Sequence, residues 1–178
     1  MQTEFEIKVL DISVQDMLTT LRSQGLQEES PQDFKRYVYD LPDNKAWIRL
    51  RTDGVKTTLT HKLFEKNAID GVQELEIEVS DFQKTHELLL LMGLQASSYQ
   101  ENKRRRFTAP DVEVSIDEWP LIPAYLEIEG ETQAVVEQYI TKLDLQDSRT
   151  TSEPTSAVYQ LYGLDLTDYP ELSFTLSK

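Results

Sequence analysis

Hydrophobic and charged residues alternate in the first segment of the chain. In EFEIKVL, residues 4–10, the acids Glu4 and Glu6 and the base Lys8 share one parity, and apolar residues occupy the other. Such a period of two is typical of a β-strand with one apolar face. Helix-capping residues and apolar residues at helical spacing follow, and Gly25 ends that pattern. The opening of the chain therefore predicts a strand and then an amphipathic helix.

The same order recurs twice later in the chain. GVQELEIEVS, residues 71–80, alternates acids with aliphatic residues and precedes a helix pattern capped by Asp81. YLEIEGE, residues 125–131, alternates in the same way and precedes the helix pattern ETQAVVEQYITKL. An acidic strand followed by a helix is therefore a recurring unit of the chain.

The segment AWIRLRTDGVKTTLTHKLF predicts a hairpin, because an Asp-Gly pair at residues 53–54 is typical of a two-residue type I′ turn. In the register that this turn sets, Arg51 lies opposite Lys56, and like charges so placed repel. Arg49, Arg51 and Lys62 then share one face, and aliphatic residues form the other. One face of the hairpin is therefore basic, and an anion bound there would relieve the repulsion.

A second basic strand is predicted in ENKRRRFTA, paired with DVEVSIDEW. Lys103 and Arg105 share one parity, and Arg104 and Arg106 share the other. Because four successive bases fit either register, the alternation leaves both open. We assign Lys103 and Arg105 to the charged face and keep Arg104 and Arg106 as the alternative pair.

Strands with one apolar and one charged face allow two arrangements. In a sandwich the apolar faces form the core and the charged faces meet water. In a closed tunnel the charged faces line the interior, and helices cover the apolar faces outside. Two features favour the tunnel: each acidic strand leads to a helix that needs an apolar surface, and acids and bases are segregated, whereas a surface that serves solubility mixes its signs. The predicted fold is α+β, a closed antiparallel eight-stranded β-tunnel with a charged interior and helices packed on the outside.

The composition narrows the possible functions. The chain has 178 residues, which we assign to a single domain spanning 1–178, and it has no cysteine, which excludes thiolate chemistry. The net charge of -14 argues against a nucleic acid or an anionic membrane as partner. No glycine-rich phosphate loop occurs, so side chains must bind any phosphate. The start of the chain lacks an export-signal pattern and no long apolar run occurs, which predicts a cytoplasmic protein.

The charged residues suit a metal and a polyphosphate. Pairs of carboxylates on one strand face present oxygen ligands to a hard cation such as Mg²⁺ or Mn²⁺. Several Arg and Lys side chains together can neutralise a triphosphate, and Arg adds bidentate geometry. The acidic pairs are Glu4 and Glu6, Glu76 and Glu78, and Glu127 and Glu129. The basic groups are Arg49, Arg51 and Lys62, and Lys103 and Arg105.

Taken in order, these residues resemble the CYTH family, also known as the triphosphate tunnel metalloenzymes. The resemblance runs over residues 4–129 and rests on Glu4-x-Glu6-x-Lys8, Arg49-x-Arg51, Lys62, Glu76-x-Glu78, Lys103-x-Arg105, Asp117 and Glu127-x-Glu129. It implies a closed β-tunnel, dependence on a divalent metal, and action on a triphosphate such as inorganic triphosphate, thiamine triphosphate, an RNA 5′-triphosphate end or ATP.

The resemblance also implies roles for single residues. The implied metal ligands are Glu4, Glu6, Glu76, Glu78, Asp117, Glu127 and Glu129. The implied phosphate ligands are Lys8, Arg49, Arg51, Lys62, Lys103 and Arg105. The implied catalytic residues are Glu4, Glu6, Glu129 and Lys8, and the implied cofactor is Mg²⁺ or Mn²⁺.

Three functions are compatible with such a site. The leading hypothesis is a metal-dependent triphosphatase, in which water attacks the terminal phosphorus. The alternative in the same tunnel is a class IV adenylate cyclase, which converts ATP to cyclic AMP and pyrophosphate and needs a nucleoside pocket that the sequence does not reveal. A non-catalytic polyphosphate or nucleotide binder has no use for so many carboxylates facing its ligand. The expected partner is a small triphosphate, with no nucleic acid and no membrane, and the protein is a monomer or a homodimer.

Overall fold

The alternating segments form the strands of an α+β fold in the computed structural model, which describes residues 5–42, 46–64 and 72–176. Among these residues there are eleven strands and four α-helices. Eight strands contain five residues or more: β1 (Phe5–Val9), β3 (Gln32–Asp40), β4 (Ala46–Thr52), β5 (Thr57–Phe64), β6 (Val72–Glu78), β7 (Ser98–Ala109), β8 (Val112–Glu118) and β9 (Tyr125–Gly130). The other three contain two residues each: β2 (Gln27–Glu28), β10 (Thr150–Thr151) and β11 (Glu171–Leu172).

The helices are α1 (Val14–Ser23), α2 (Phe82–Leu91), α3 (Gln133–Lys142) and α4 (Thr155–Leu161), and a 3₁₀ turn covers Leu166–Asp168. As predicted, α1, α2 and α3 each follow an acidic strand. None of the helices in the described residues is long and apolar enough to cross a membrane.

The chain divides into two compact units. The described residues of the first lie in 5–32 and 103–166, and those of the second lie in 33–102 and 167–176. In the first unit the strand order is β10-β1-β9-β8-β7, and β2 also pairs with β7. In the second unit it is β7-β3-β4-β5-β6, and β11 runs parallel to the start of β7.

The predicted eight strands, of which FKRYVYDL at residues 34–41 is the eighth, correspond to the eight longer strands, and the three two-residue strands were not predicted. The pairs β1 with β9, β3 with β4, β4 with β5, β5 with β6, β7 with β8, and β8 with β9 are antiparallel, as expected. In the hydrogen-bonding order of the described strands, β10 and β6 are the two ends. Hydrogen bonds therefore do not confirm the predicted closure of the sheet.

The apolar faces of the first unit's strands pack against α1 and α3. Ser13 caps α1 by accepting a hydrogen bond from the Asp16 N–H, and Thr132 caps α3 through the N–H of Val135. A Cβ atom at Gly130 would lie 2.9 Å from Val135 Cγ1, so glycine permits the close approach of α3 to β9. The buried side chains of this core are Val9, Met17, Leu18, Leu21, Leu26, Phe107, Val112, Val114, Ile116, Leu126, Ile128, Val136, Tyr139, Leu143 and Leu145.

A separate apolar cluster in the second unit joins α2 to β3 and β4 through Tyr39, Leu50 and Leu89. Full burial of a side chain such as Leu50 stabilises the fold by about 1.5 to 3 kcal/mol. The Tyr39 hydroxyl lies 2.7 Å from His86 Nδ1, and the His86 ring stacks on Tyr37 with ring centroids 3.8 Å apart. His86 therefore has a structural role on the apolar side of this sheet.

The hairpin of β4 and β5 closes through a four-residue loop, so the two-residue turn predicted from the sequence is wrong. Thr52 pairs with Thr57, and Arg51 lies opposite Thr58 rather than Lys56. The expected repulsion between directly opposed bases does not arise. Because the register differs from the prediction by two residues, every side chain keeps its predicted face.

The side chain of Asp53 explains the longer loop. Its Oδ1 atom accepts hydrogen bonds from the backbone N–H groups of Val55 and Lys56, at 2.9 and 2.7 Å. Gly54 supplies the left-handed backbone that the loop requires, with φ of 86°. Such a local bond from an aspartate side chain to the backbone competes with the tighter type I′ turn.

Candidate functional site

Three carboxylates lie together on the charged face of the first unit. Glu6 of β1 lies opposite Glu129 of β9, and Glu127 shares the parity of Glu129 along β9. One carboxylate oxygen from each of the three residues lies within 4.8 Å of the other two. Carboxylates at this spacing repel one another unless a cation lies near them. Their oxygen atoms suit a hard divalent cation, which prefers such ligands.

Lys8 of β1 lies among these carboxylates. Its side chain is only 3% exposed, and its Nζ atom donates a hydrogen bond to Glu6 Oε1 at 2.7 Å and lies 3.3 Å from Glu127 Oε2. A lysine is seldom buried without a charged partner. Lys8 therefore neutralises part of the carboxylate charge and links Glu6 to Glu127.

Arg104 of β7 adds a second cationic group to this face. Its Nε and Nη2 atoms donate to the two carboxylate oxygens of the buried Asp117, at 2.8 and 2.6 Å, and Nη2 also donates to Glu127 Oε1 at 2.9 Å. Burial acts to lower the pKa of the guanidinium, but the hydrogen bond and charge of Asp117, together with the charge of Glu127, outweigh it and raise that pKa. Arg104 is therefore a permanent positive charge in this cluster.

The position of Arg104 shows that β7 adopts the alternative register of the two that the sequence left open. Arg104 lies opposite Asp117, so Arg104 and Arg106 share the charged face. Lys103 and Arg105 have the opposite parity, which is that of the apolar core. The assignment of Lys103 and Arg105 to the charged face is therefore wrong.

Phe107 gives the physical reason for this correction. It is fully buried and lies opposite Val114 in the core of the first unit, so every second residue before it along β7 has the same parity. Four successive bases contain no hydrophobic signal, whereas the phenylalanine after them does. Parity counted backwards from Phe107 would have assigned Arg104 and Arg106 correctly.

Two carboxylates that sequence reasoning missed lie beside Arg106. The Nε atom of Arg106 lies 2.8 Å from Glu113 Oε1, and its Nη1 atom lies 3.6 Å from Glu29 Oε2. Glu113 of β8 also lies opposite Glu129, so it extends the acidic face of the first unit. The available signal was the alternation along β8, which puts Glu113 on the parity of Asp117.

In the second unit, residues of β4, β5 and β6 form three rows across the charged face. Each row contains one base and one glutamate. The rows are Trp47, Lys62 and Glu74; Arg49, Thr60 and Glu76; and Arg51, Thr58 and Glu78. The predicted grouping of Arg49, Arg51 and Lys62 with Glu76 and Glu78 on one face is therefore observed.

The middle row is closely paired. Thr60 Oγ1 donates a hydrogen bond to Glu76 Oε2 at 2.6 Å, and Arg49 Nη2 lies 3.7 Å from the same oxygen. This hydrogen bond is the main cause of the lowered pKa of Glu76, and the charges of Arg51, Arg49 and Lys56 lower it further against the effect of burial. Burial lowers the pKa of the Arg49 guanidinium. The ionised form of Glu76 is therefore favoured, and it lies next to a partly desolvated arginine.

The glutamates of the outer rows also contact bases. Lys62 Nζ donates a hydrogen bond to Glu74 Oε1, and Lys56 Nζ lies 3.5 Å from Glu78 Oε2. Each of the three glutamates of β6 is therefore within ion-pair distance of a lysine or an arginine. The charged face of the second unit combines both signs, as the face of the first unit does.

Arg36 of β3 is a further base that sequence reasoning missed. It lies opposite Arg51, and its Nη2 atom donates a hydrogen bond to Asn102 Oδ1. The Arg51 guanidinium lies 5.0 Å from the ring centroid of Phe34, a cation–π distance. Two neighbouring arginines make this end of the face strongly basic.

Most of the predicted site residues therefore lie on a charged face. In the first unit these are Glu6, Lys8, Asp117, Glu127 and Glu129, and in the second they are Arg49, Arg51, Lys62, Glu76 and Glu78. Lys103 and Arg105 do not lie on a charged face, and Glu4 lies outside the described residues.

The fold and the site define an α+β protein whose antiparallel strands carry carboxylates and bases together on one face of each unit. Residues 2–157 match the family model described as the CYTH domain, so the chain belongs to the CYTH domain family. The comparison with curated protein sequences gave no match.

Solved structures with the same fold come from distant organisms. A conserved protein of Pyrococcus furiosus is 21% identical, with a TM-score of 0.66 over 83% of this chain and 95% of that chain. A protein of Hippeastrum, named as a candidate adenylyl cyclase and described as having a dominant triphosphatase activity, is 16% identical, with a TM-score of 0.65 over 95% and 100% of the two chains. A protein of Vibrio parahaemolyticus, named as a candidate adenylate cyclase, is 14% identical, with a TM-score of 0.57 over 98% and 96%. At these identities the similarity concerns the fold alone.

Proposed function

We propose that this chain is a divalent-metal-dependent triphosphatase, in which water attacks the terminal phosphorus of a small triphosphate. The observation that carries the proposal is the contact of Lys8 and Arg104 with the carboxylate group of Glu6, Glu127 and Glu129. It combines oxygen ligands for a cation with donors for a polyanion on one face. Membership of the CYTH family, whose members act on triphosphates, supports the substrate class.

The proposed metal ligands are Glu6, Glu127 and Glu129, and the proposed ion is Mg²⁺ or Mn²⁺. When bound, such an ion offsets the negative charge of the phosphate oxygens and reduces their repulsion toward attacking water. Glu6, which is exposed, and Glu129 are proposed to orient that water. Asp117 accepts hydrogen bonds from Arg104 at both of its oxygens, so we propose that it positions Arg104 rather than binding the metal itself.

The ion pairs of the first unit support binding of the cation and the polyanion together. Lys8 and Arg104 neutralise part of the charge of Glu6 and Glu127. A triphosphate alone would compete with these carboxylates for the same bases. A divalent cation held by these carboxylates would leave Lys8 and Arg104 available to phosphate oxygens. This exchange of partners favours a metal-dependent enzyme over a binder of anions alone.

The proposed phosphate ligands combine the predicted bases with the corrected register of β7. They are Lys8, Arg104 and Arg106 in the first unit and Arg49, Arg51 and Lys62 in the second.

Glu76 and Glu78 remain part of the proposed acidic set. The closed eight-stranded tunnel remains part of the proposal, and the packing of helices on the apolar strand faces within each unit supports it.

The test is a panel of substrates offered to the purified chain with Mg²⁺ or Mn²⁺. Inorganic triphosphate, thiamine triphosphate and ATP are compared, and both phosphate and cyclic AMP are measured. We expect phosphate from inorganic triphosphate and no cyclic AMP from ATP. Cyclic AMP from ATP, with inorganic triphosphate unchanged, would establish a cyclase instead. Tight binding of all three compounds without turnover would identify a non-catalytic polyphosphate or nucleotide binder.

A further inference from the structure

Thr58 is a buried hydroxyl on the charged face of the second unit. It lies on β5 between Arg51 of β4 and Glu78 of β6, and the residue is 5% exposed. Its Oγ1 atom is buried and has no hydrogen-bond partner among the residues that the structure describes. The neighbouring row differs, because the hydroxyl of Thr60 donates to Glu76 at 2.6 Å.

A buried hydroxyl without a partner destabilises a fold, so such groups usually meet a ligand or an ordered water. Glu78, the glutamate in the row of Thr58, accepts no hydrogen bond from it, and Glu78 Oε2 lies 3.5 Å from Lys56 Nζ. On the other side lies the Arg51 guanidinium, which has donors only. An anionic acceptor suits this hydroxyl, because the charge of Arg51 attracts negative groups to this position.

We propose that the Thr58 hydroxyl donates a hydrogen bond to a non-bridging phosphate oxygen of the triphosphate, next to the oxygens that pair with Arg51. This inference rests on the proposed function, and it adds Thr58 to the substrate-binding residues. Arg51 and Glu78, the neighbours of Thr58 in its row, both have longer side chains than Thr58. An anion that draws Arg51 toward itself brings its own oxygens to the hydroxyl. Hydrogen bonds to charged acceptors are about twice as strong as those to neutral ones.

The substitution Thr58→Val separates this role from a structural one. Valine keeps the branched shape and removes only the hydroxyl, which makes no bond within the described part of the free protein. We expect a melting temperature equal to or higher than that of the wild type. We expect binding of the triphosphate to weaken about tenfold, the loss of one hydrogen bond to a charged group. Thr58→Ser keeps the hydroxyl and should bind within about twofold of the wild type.

The experiment is calorimetric titration of the full chain with diimidotriphosphate, a triphosphate whose P–N–P bridges resist hydrolysis, in saturating Mg²⁺. Thermal denaturation of each variant and the KM for inorganic triphosphate are measured in parallel. The matched control is Thr150→Val, which alters an exposed strand threonine and should change none of these quantities.

Weaker binding by Thr58→Val alone, at an unchanged or higher melting temperature, supports the proposal. Wild-type affinity in Thr58→Val, with an active wild type, overturns it and leaves the proposed function intact. Equal weakening in Thr58→Ser and Thr58→Val, or a lower melting temperature of Thr58→Val, overturns it in favour of a packing role. Absence of both binding and turnover in the wild type overturns the proposed function, and this inference with it.

Discussion

The Nζ atom of the buried Lys8 lies 2.7 Å from a carboxylate oxygen of Glu6 and 3.3 Å from one of Glu127. One ammonium group therefore links neighbouring strands, β1 and β9, through their side chains as well as their backbone. The same carboxylates are the proposed ligands of a divalent ion. The stability of this face should then depend on Lys8 and on the ion together.

Replacement of Lys8 by methionine tests that dependence. Lys8→Met leaves the exposed Glu6 without its cation and leaves Glu127 with Arg104 as its remaining partner. Breaking a buried ion pair costs about 3 to 5 kcal/mol, and the exposure of Glu6 and the remaining Arg104 contact place this change at the lower end. The free energy of urea unfolding should fall by about 3 kcal/mol in metal-free buffer. Mg²⁺ should restore part of the loss, because an ion that binds only the folded state stabilises it. The control is Lys84→Met on α2, an exposed position where little change is expected. An equal effect of Mg²⁺ on wild type and Lys8→Met would contradict the shared role.

The register of β7 gives a kinetic prediction. Arg104→Lys loses the bidentate contact with Asp117 and should raise the KM for inorganic triphosphate about tenfold or more, since one good charged hydrogen bond is worth about 1.5 to 3 kcal/mol. Arg105→Lys alters a base of the other parity, and its KM for inorganic triphosphate should stay within about twofold of the wild-type value. Steady-state kinetics of the two variants distinguish the registers. The reverse ranking would restore the assignment made from sequence.

Sequence alone predicted the parts of the fold in which polarity alternates. Glu6 and Lys8 on β1, and Glu127 and Glu129 on β9, share the faces that alternation assigns them, because a strand has a period of two whatever its neighbours are. The helix that follows each acidic strand was also predicted, because its capping residues and its apolar spacing are local features of the sequence.

Sequence reasoning failed where the alternation of polar and apolar residues did not include the deciding interaction. The Asp53 side chain bonds the backbone of its own loop and lengthens the hairpin, which the Asp-Gly pair does not reveal. The four bases of β7 contain no parity signal, and Phe107 sets their orientation from the core. Thr58 and Thr60 each lie opposite a glutamate of β6, and only the geometry of the side chains shows that one hydroxyl has a carboxylate partner.

The role of Glu6 predicts a loss of both metal binding and turnover. Glu6→Gln keeps the size of the side chain but removes one charged ligand from the group with Glu127 and Glu129. The dissociation constant for Mn²⁺, measured by electron paramagnetic resonance, should rise at least about tenfold, and triphosphate hydrolysis should fall below about 1%. Glu137→Gln alters an exposed carboxylate of α3 and should preserve both properties. Wild-type Mn²⁺ affinity in Glu6→Gln would remove Glu6 from the ligand set.

The hydrogen bond between Thr60 and Glu76 makes a prediction about pH. Thr60 Oγ1 donates to the carboxylate at 2.6 Å, and this bond is the largest cause of a pKa for Glu76 below the ordinary value of 4.5. Because the folded pKa is depressed, the unfolded chain binds more protons than the folded chain in the range between the two values. The stabilisation is therefore complete above about pH 4.5 and is lost as the pH falls through the folded pKa.

Thr60→Val should move the pKa of Glu76 upward, toward its ordinary value. The charges of Arg51 and Arg49 remain in this variant, so the shift should be incomplete. Acid unfolding should then begin at a higher pH than in the wild type, and Thr60→Ser should behave as the wild type does. Titration of the ¹³C-labelled glutamate carboxyl groups by NMR measures the pKa directly. A pKa of Glu76 that is the same in Thr60→Val and in the wild type would show that the arginines, rather than the threonine, hold this carboxylate in its charged form.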